Sequence, residues 1–164
     1  MQTDVYEQPT ARHLLLDDHV RLLRLFEDVL ERFRADDREQ TRAAWAMFER
    51  SLFAHLEAEE HELLPAFRKV DPDEAQALYA DHGRFRKTIE ELAISVELHS
   101  IRADAAGMFV QTLKEHSHRE DRGMYAWAEA TLDESSYRHL HDRLCPSDDP
   151  RGRPAGTHGT MTSG

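Results

Sequence analysis

The chain has 164 residues, and its 32 Asp and Glu outnumber its 21 Lys and Arg, so the net charge of −11 makes nucleic acid and anionic membranes poor partners. This length suits one domain with a substantial core, and no apolar run approaches the roughly 20 residues of a membrane-spanning helix. Cys145 is the only cysteine, which excludes a disulfide framework and a thiolate metal cluster.

The first half of the chain predicts two long helices. Apolar residues at helical spacing run over about residues 11–33, and Thr10 stands where an N-cap is expected. A second amphipathic pattern covers about residues 39–70. Pro65 lies inside this pattern and lacks a backbone N–H, so we expect a kink or a loosened last turn there.

The second half predicts two more long helices. Asp71 and Pro72 form a strong helix start, with an acidic cap and proline at the first helical position. A short connection near residues 99–104 leads to the fourth helix, whose apolar stripe extends to Trp127. Residues 137–144 are a candidate for a short additional helix.

These elements predict an all-α fold. Short connections between long amphipathic helices favour antiparallel neighbours, hence an up-down-up-down four-helix bundle over residues 1–144. Residues 145–164 are rich in Pro and Gly and predict a disordered tail. The first residues lack the basic and apolar regions of a signal peptide, so we expect a cytoplasmic protein.

Two near-duplicate segments point to a metal site. His55 precedes Glu59 by four residues, and His116 precedes Glu120 by the same spacing. Residues i and i+4 lie on one face of a helix, so each segment presents an imidazole and a carboxylate together. The other two long helices each place a histidine within an apolar stripe. The candidate metal ligands are therefore His19, His55, Glu59, His82, His116 and Glu120.

The expected bundle brings these six residues to one level. Counted from the predicted helix ends at 1.5 Å per residue, all six fall roughly 15 Å from the same end. Burying two carboxylates and four imidazoles without a compensating charge is costly, and two metal ions would supply that charge. The Glu-x-x-His motif of ferritin-like di-iron bundles occurs once, at Glu115 and His118, off the apolar stripe, which argues against that class.

The pattern resembles the hemerythrin-like, or HHE cation-binding, family over about residues 10–131. The resemblance rests on four spaced motifs, which are His19, His55-x3-Glu59 followed by Leu-Leu-Pro, Asp-His82, and His116-x3-Glu120 followed by Met-Tyr. It implies an oxo- or hydroxo-bridged non-haem centre of two iron ions. By the same resemblance, Glu59 and Glu120 would bridge the irons, with His19 and His55 on one iron and His82 and His116 on the other.

Two positions depart from oxygen-carrying relatives. Such carriers have a second histidine four residues after the one on helix 3, where this chain has Arg86. They also have an aspartate five residues after the last histidine. Asp121 holds that spacing here, but Glu120 matches the pattern of the companion segment and is preferred. The missing histidine leaves one iron more open, which favours redox chemistry, sensing or iron handling over oxygen carriage.

The resemblance leaves several functions open. The preferred one is to bind, sense or reduce oxygen, nitric oxide or peroxide, including a peroxide-consuming enzyme activity. The alternative is an iron-handling or iron-responsive protein, including iron delivery for iron–sulfur cluster repair, although the paired cysteines that would support repair are absent.

Several polar residues near the predicted site have simpler structural roles available to them. Arg86 is expected to extend toward solvent, the alternative being a pair with a bridging carboxylate. Tyr79 and Tyr125 are expected to pack in the core rather than reach the metals. The remaining histidines are predicted to lie on the surface, namely His13, His61, His99, His118, His139, His141 and His158.

Overall fold

The computed structural model describes residues 10–145, which form helices joined by short turns. In chain order the helices are α1 (Ala11–Arg34), α2 (Arg38–Glu62), α3 (Leu64–Phe67), α4 (Pro72–Glu97), α5 (Ala103–Glu120), a π-helical turn (Asp121–Tyr125), α6 (Ala126–Thr131) and α7 (Glu134–Leu144). The predicted all-α fold is confirmed, with α1, α2, α4 and α5 as four long antiparallel helices. Apart from Cys145, the tail predicted over residues 145–164 lies outside the described residues.

Local sequence explains where α1 and α4 begin. The side chain of Thr10 accepts a hydrogen bond from the His13 amide at 3.3 Å, as expected for an N-cap. Asp71 accepts one from Glu74 at 3.0 Å, and Pro72 follows it as the first residue of α4. The short helix expected over 137–144 is present as α7, which begins slightly earlier at Glu134.

The second predicted helix is shorter than expected. We expected it to continue to residue 70, but α2 ends at Glu62 and the four-residue α3 follows it. Pro65 explains the break, because its ring conflicts with the carbonyl four residues earlier and it has no N–H to donate. Proline is tolerated in the first turn of a helix, and Pro65 accordingly occupies the first turn of α3.

A buried polar layer separates two apolar clusters of the bundle. One cluster contains Phe26, Phe48 and Phe109 with their aliphatic neighbours, and the other contains Leu15, Leu78 and Met124. Each fully buried side chain of this size contributes about 1.5–3 kcal/mol to folding. The second cluster also includes Leu140 and Leu144, so α7 covers that end of the bundle. Within residues 10–145, none of the helices has the length and apolar composition needed to cross a membrane.

Candidate metal centre

The polar layer contains all six predicted ligand residues. Their side chains are at most 5% exposed, although each is polar or ionisable. They form two overlapping groups in which the candidate ligand atoms lie within 4.8 Å of one another. The first group consists of His19, His55, Glu59 and Glu120, and the second of Glu59, His82, His116 and Glu120.

Each carboxylate is shared between the two pairs of histidines. One oxygen of Glu59 lies 3.4 Å from Nε2 of His55, and its other oxygen lies 3.3 Å from Nε2 of His82. The two oxygens of Glu120 are divided in the same way, at 3.3 Å from Nε2 of His19 and 2.8 Å from Nε2 of His116. This is the arrangement required of a carboxylate that bridges two metal ions.

Several inward-facing atoms approach a charged group of the layer but are not aligned to form a hydrogen bond with it. Buried polar atoms are nearly always paired, so each unpaired atom needs an explanation. Among the described residues, seven buried side-chain atoms lack a partner, and five of them belong to this layer. These five are Nε2 of His55, His82 and His116, together with one oxygen each of Glu59 and Glu120. Two cations placed among them would satisfy all five, and this donor set suits iron, manganese or zinc.

Without metal, the buried carboxylates and the imidazoles of His55 and His82 shift one another's pKa toward the charged forms. Burial and the charge of Glu120 act to raise the pKa of Glu59, but His55 and His82 lower it to about 2. Burial likewise acts to lower the pKa of His82, but Glu120 and Glu59 raise it to about 10. Metal ions would displace these imidazole protons, because a histidine ligand must be neutral.

The outward nitrogen of every histidine in the layer also has a partner. Nδ1 of His55 donates to Asp18 at 2.9 Å, and Nδ1 of His116 lies 3.3 Å from Asp81. These partners leave Nε2 as the inward atom, which fixes the orientation of a metal-binding histidine. The other two contacts are Nδ1 of His82 to Glu60 at 3.0 Å and Nδ1 of His19 to Ser117 at 2.8 Å.

Arginines pair with the carboxylates that support these histidines. Arg21 pairs with Asp18 at 2.7 Å, and Arg119 with Asp81 at 2.8 Å. Arg86 makes two hydrogen bonds to Glu60, at 2.8 and 2.9 Å. Arg86 extends outward, as expected, but it also pairs with a carboxylate. That carboxylate is Glu60, which supports His82, and not a bridging carboxylate.

The alternative carboxylate, Asp121, begins the π-helical turn after α5 and is directed elsewhere. Asp121 pairs with Arg12 at 2.7 Å, and 27% of its side chain is exposed. Arg12 lowers the pKa of Asp121 against a smaller opposing effect of burial. The geometry therefore favours Glu120 over Asp121 as the carboxylate of the candidate centre.

Tyr125 reaches the polar layer, contrary to the expectation that it only packs in the core. Its hydroxyl lies 2.5 Å from Glu59, 3.1 Å from Glu120 and 3.3 Å from Nε2 of His19. In an α-helix a residue five positions on would be rotated by about 140° from the first. The π-helical turn Asp121–Tyr125 widens the helix so that Tyr125 and Glu120 share a face. Such turns are frequent at functional sites.

Tyr79 and most of the histidines predicted to lie on the surface follow expectation. Tyr79 is half-buried and packs against the second apolar cluster. His99 is the exception among the described histidines predicted to be on the surface, because only 9% of its side chain is exposed and it pairs with Asp36 at 2.8 Å. His158 lies outside the described residues. The remaining five are exposed, namely His13, His61, His118, His139 and His141.

Sequence reasoning missed the residues that support the histidines. Asp18 and Asp81 each directly precede a predicted ligand, and the recurring Asp-His pair was the available signal. That signal does not reveal the true contact, because each aspartate supports a histidine on the adjacent helix. No sequence pattern distinguished Glu60 or Ser117 from other polar residues.

Comparison with known families agrees with this geometry. The sequence model of the hemerythrin HHE cation-binding domain matches residues 10–141, which include the four long helices and all six residues of the polar layer. No curated protein and no solved structure gives a significant match to the chain. Its two buried His and Glu groups are consistent with a binuclear metal site. The chain belongs to the hemerythrin HHE cation-binding domain family.

Proposed function

We propose that the protein holds two iron ions and uses them to bind, sense or reduce a small oxidant such as oxygen, nitric oxide or peroxide. In this proposal His19 and His55 serve one iron, His82 and His116 serve the other, and Glu59 and Glu120 bridge them. In Glu59 and in Glu120, one oxygen faces a histidine of the first pair and the other oxygen faces a histidine of the second pair. This observation carries the proposal.

The protein side chains would leave coordination positions for a small ligand. Each group in the layer supplies two histidines and two carboxylates, whereas iron commonly takes six ligands. The position four residues after His82 is Arg86, whose guanidinium pairs with Glu60 and stays protonated. Bound iron would supply one-electron redox chemistry and these open positions, which favours reaction with an oxidant over long-lived oxygen carriage. A peroxide-consuming activity is the enzyme function that fits this site.

The chain's own residues would orient the centre and shield it. Asp18 and Asp81 hold two histidines with Nε2 inward, and Tyr125 places its hydroxyl against both carboxylates. The apolar clusters on both sides exclude water from the layer and strengthen the electrostatic interactions within it.

A second candidate is an iron-responsive protein. Each group takes residues from both halves of the bundle, since Glu59 lies on α2 and Glu120 on α5. Metal binding would therefore hold the two halves together, and metal loss would loosen them. This role needs only metal-dependent stability, whereas the preferred role also needs reaction with a small oxidant.

Metal analysis combined with spectroscopy tests the proposal. Protein produced in iron-supplemented medium should contain about two iron ions per chain, matching the two ligand groups, and its ferric form should show near-ultraviolet bands of a bridged pair. Addition of peroxide, nitric oxide or azide should change the spectrum. A folded protein that takes up no ferrous iron would contradict the di-iron centre. Iron uptake without any response to these ligands would favour the iron-responsive role.

A further inference from the structure

The hydroxyl of Tyr125 faces more acceptors than it can satisfy. A phenol has one O–H to donate, yet this oxygen lies close to a carboxylate oxygen of Glu59, a carboxylate oxygen of Glu120 and Nε2 of His19. Tyr125 is fully buried, so water cannot relieve the surplus. The O–H can donate to one carboxylate and the phenol oxygen can accept from Nε2 of His19, but the contact with the second carboxylate is left without a hydrogen.

The distances from the Tyr125 oxygen to Glu120 and His19 match those between neighbouring ligands of one metal ion, and the distance to Glu59 is shorter. Ligand atoms at about 2.1 Å from an octahedral metal ion and at right angles to each other are about 3.0 Å apart. The Tyr125 oxygen lies 2.5, 3.1 and 3.3 Å from the three atoms, all of which belong to residues of the first group. The phenol oxygen therefore occupies a position that a ligand of that metal ion would take.

We propose that Tyr125 is a direct ligand of the iron held by His19 and His55. This inference rests on the proposed di-iron centre and adds a ligand that the six predicted residues do not include. Coordination to ferric iron breaks the phenol O–H bond and forms one iron–oxygen bond. The proton is released when the metal binds, as are those of histidine ligands, and neither the iron nor the tyrosine changes oxidation state.

The proposed ligand makes the two irons unequal. Tyr125 lies nine residues after His116, and the residue nine after His55 is Leu64, which is buried and cannot coordinate a metal. The iron of His19 and His55 thus gains a fifth protein ligand, while the iron of His82 and His116 keeps four. We infer that an added small ligand binds at the iron of His82 and His116.

Absorption and Raman spectra of the ferric protein test this assignment. Phenolate bound to ferric iron gives a charge-transfer band in the visible region, and excitation in that band enhances tyrosine ring vibrations. The iron-loaded wild type should show both, and protein grown with ring-deuterated tyrosine should show shifted vibrations. Tyr125→Phe should lose the band and keep its helical content, while Tyr79→Phe, which removes a hydroxyl from α4, should keep the band.

The outcomes separate this inference from the proposed function. Iron-loaded wild type with near-ultraviolet bands of a bridged pair but no phenolate band would overturn the role of Tyr125 and leave the di-iron centre standing. A phenolate band that survives Tyr125→Phe, or disappears in Tyr79→Phe, would also overturn it. Failure to bind iron at all would overturn both proposals. The wild-type measurement decides the question even if a variant does not fold.

Discussion

Asp18 supports a histidine that is not its neighbour in sequence. It directly precedes His19 on α1, but its carboxylate accepts a hydrogen bond from His55 on α2 at 2.9 Å. Asp81 repeats this relationship, preceding His82 on α4 and contacting His116 on α5 at 3.3 Å. In each half of the bundle, one Asp-His pair therefore contributes a histidine to the layer and orients a second one.

Substitution of Asp18 should weaken metal binding without removing a ligand. Asp18→Asn keeps the size of the side chain but removes the charge that fixes the His55 ring. We expect affinity for iron to fall about 10- to 100-fold, as is typical when such a supporting residue is lost. Asp17→Asn is the matched control, because Asp17 is exposed. Competition with a chelator measures the affinity, and equal values for the two variants would contradict the supporting role.

Substitution of Glu59 should affect both metal ions, because it belongs to both groups. We expect Glu59→Gln to reduce iron content from about two ions per chain to one or fewer, measured by elemental analysis. Glu62→Gln provides the control on the same helix, since Glu62 pairs with Arg143 at 2.6 Å instead of facing the layer. Equal iron content in the two variants would show that the bridging carboxylate is misassigned.

The metal-free and iron-loaded proteins should respond to pH in opposite directions. Without metal, the pKa of His82 is about 10 when folded and 6.5 when unfolded. Between these values the folded state holds a proton that the unfolded state has lost, so the free energy of unfolding should decrease as pH rises. With iron bound, the histidines are neutral, so lowering the pH should weaken binding and stability.

Urea denaturation at several pH values, with and without chelator, measures how the free energy of unfolding changes with pH in the metal-free and iron-loaded proteins. His82→Gln should flatten the decline of the metal-free protein between pH 6.5 and about 10. A metal-free protein whose stability rises over this range would contradict the pairing of protonated His82 with the two carboxylates.

Arg86 should influence the metal ion held by His82 and His116, because it pairs with Glu60, which contacts His82. Burial acts to raise the pKa of Glu60, but Arg86 and His82 lower it, which keeps this carboxylate charged behind the imidazole. Arg86→Gln removes this support and should weaken the binding of only the iron held by His82 and His116. We therefore expect the chelator concentrations at which the two irons are lost to lie further apart. Lys87→Gln removes one positive charge from an exposed neighbouring position and should behave like the wild type. Identical chelator profiles for the two variants would contradict the role of Arg86.

Much of the architecture could be predicted from the sequence because it depends on local periodicity. The helical spacing of apolar residues predicts the four long helices. The caps at Thr10 and Asp71 predict where two of them begin. The six polar residues were recognisable because they interrupt apolar stripes at one level. The structure brings all six together.

The missed features depend on contacts between helices or on helix geometry. The partner of Asp18 depends on how α1 and α2 pack, which a single stripe does not specify. Tyr125 was assigned to the core because regular α-helical spacing places it away from Glu120, and the π-helical turn was not evident in the sequence. His99 was assigned to the surface, but its backbone has a φ of 51° in the turn after α4, and its ring packs against Phe33.

Glu59 and Glu120 belong to both ligand groups, which has a consequence for how the protein unfolds. The α1–α2 half supplies Glu59 to both groups, and the half containing α4 and α5 supplies Glu120 to both. If the proposed irons are bound, neither half could separate from the other without breaking bonds to both ions, so the ions would hold the two halves together. Such a link would slow unfolding. The lifetime of the folded protein would then depend on how fast iron is released.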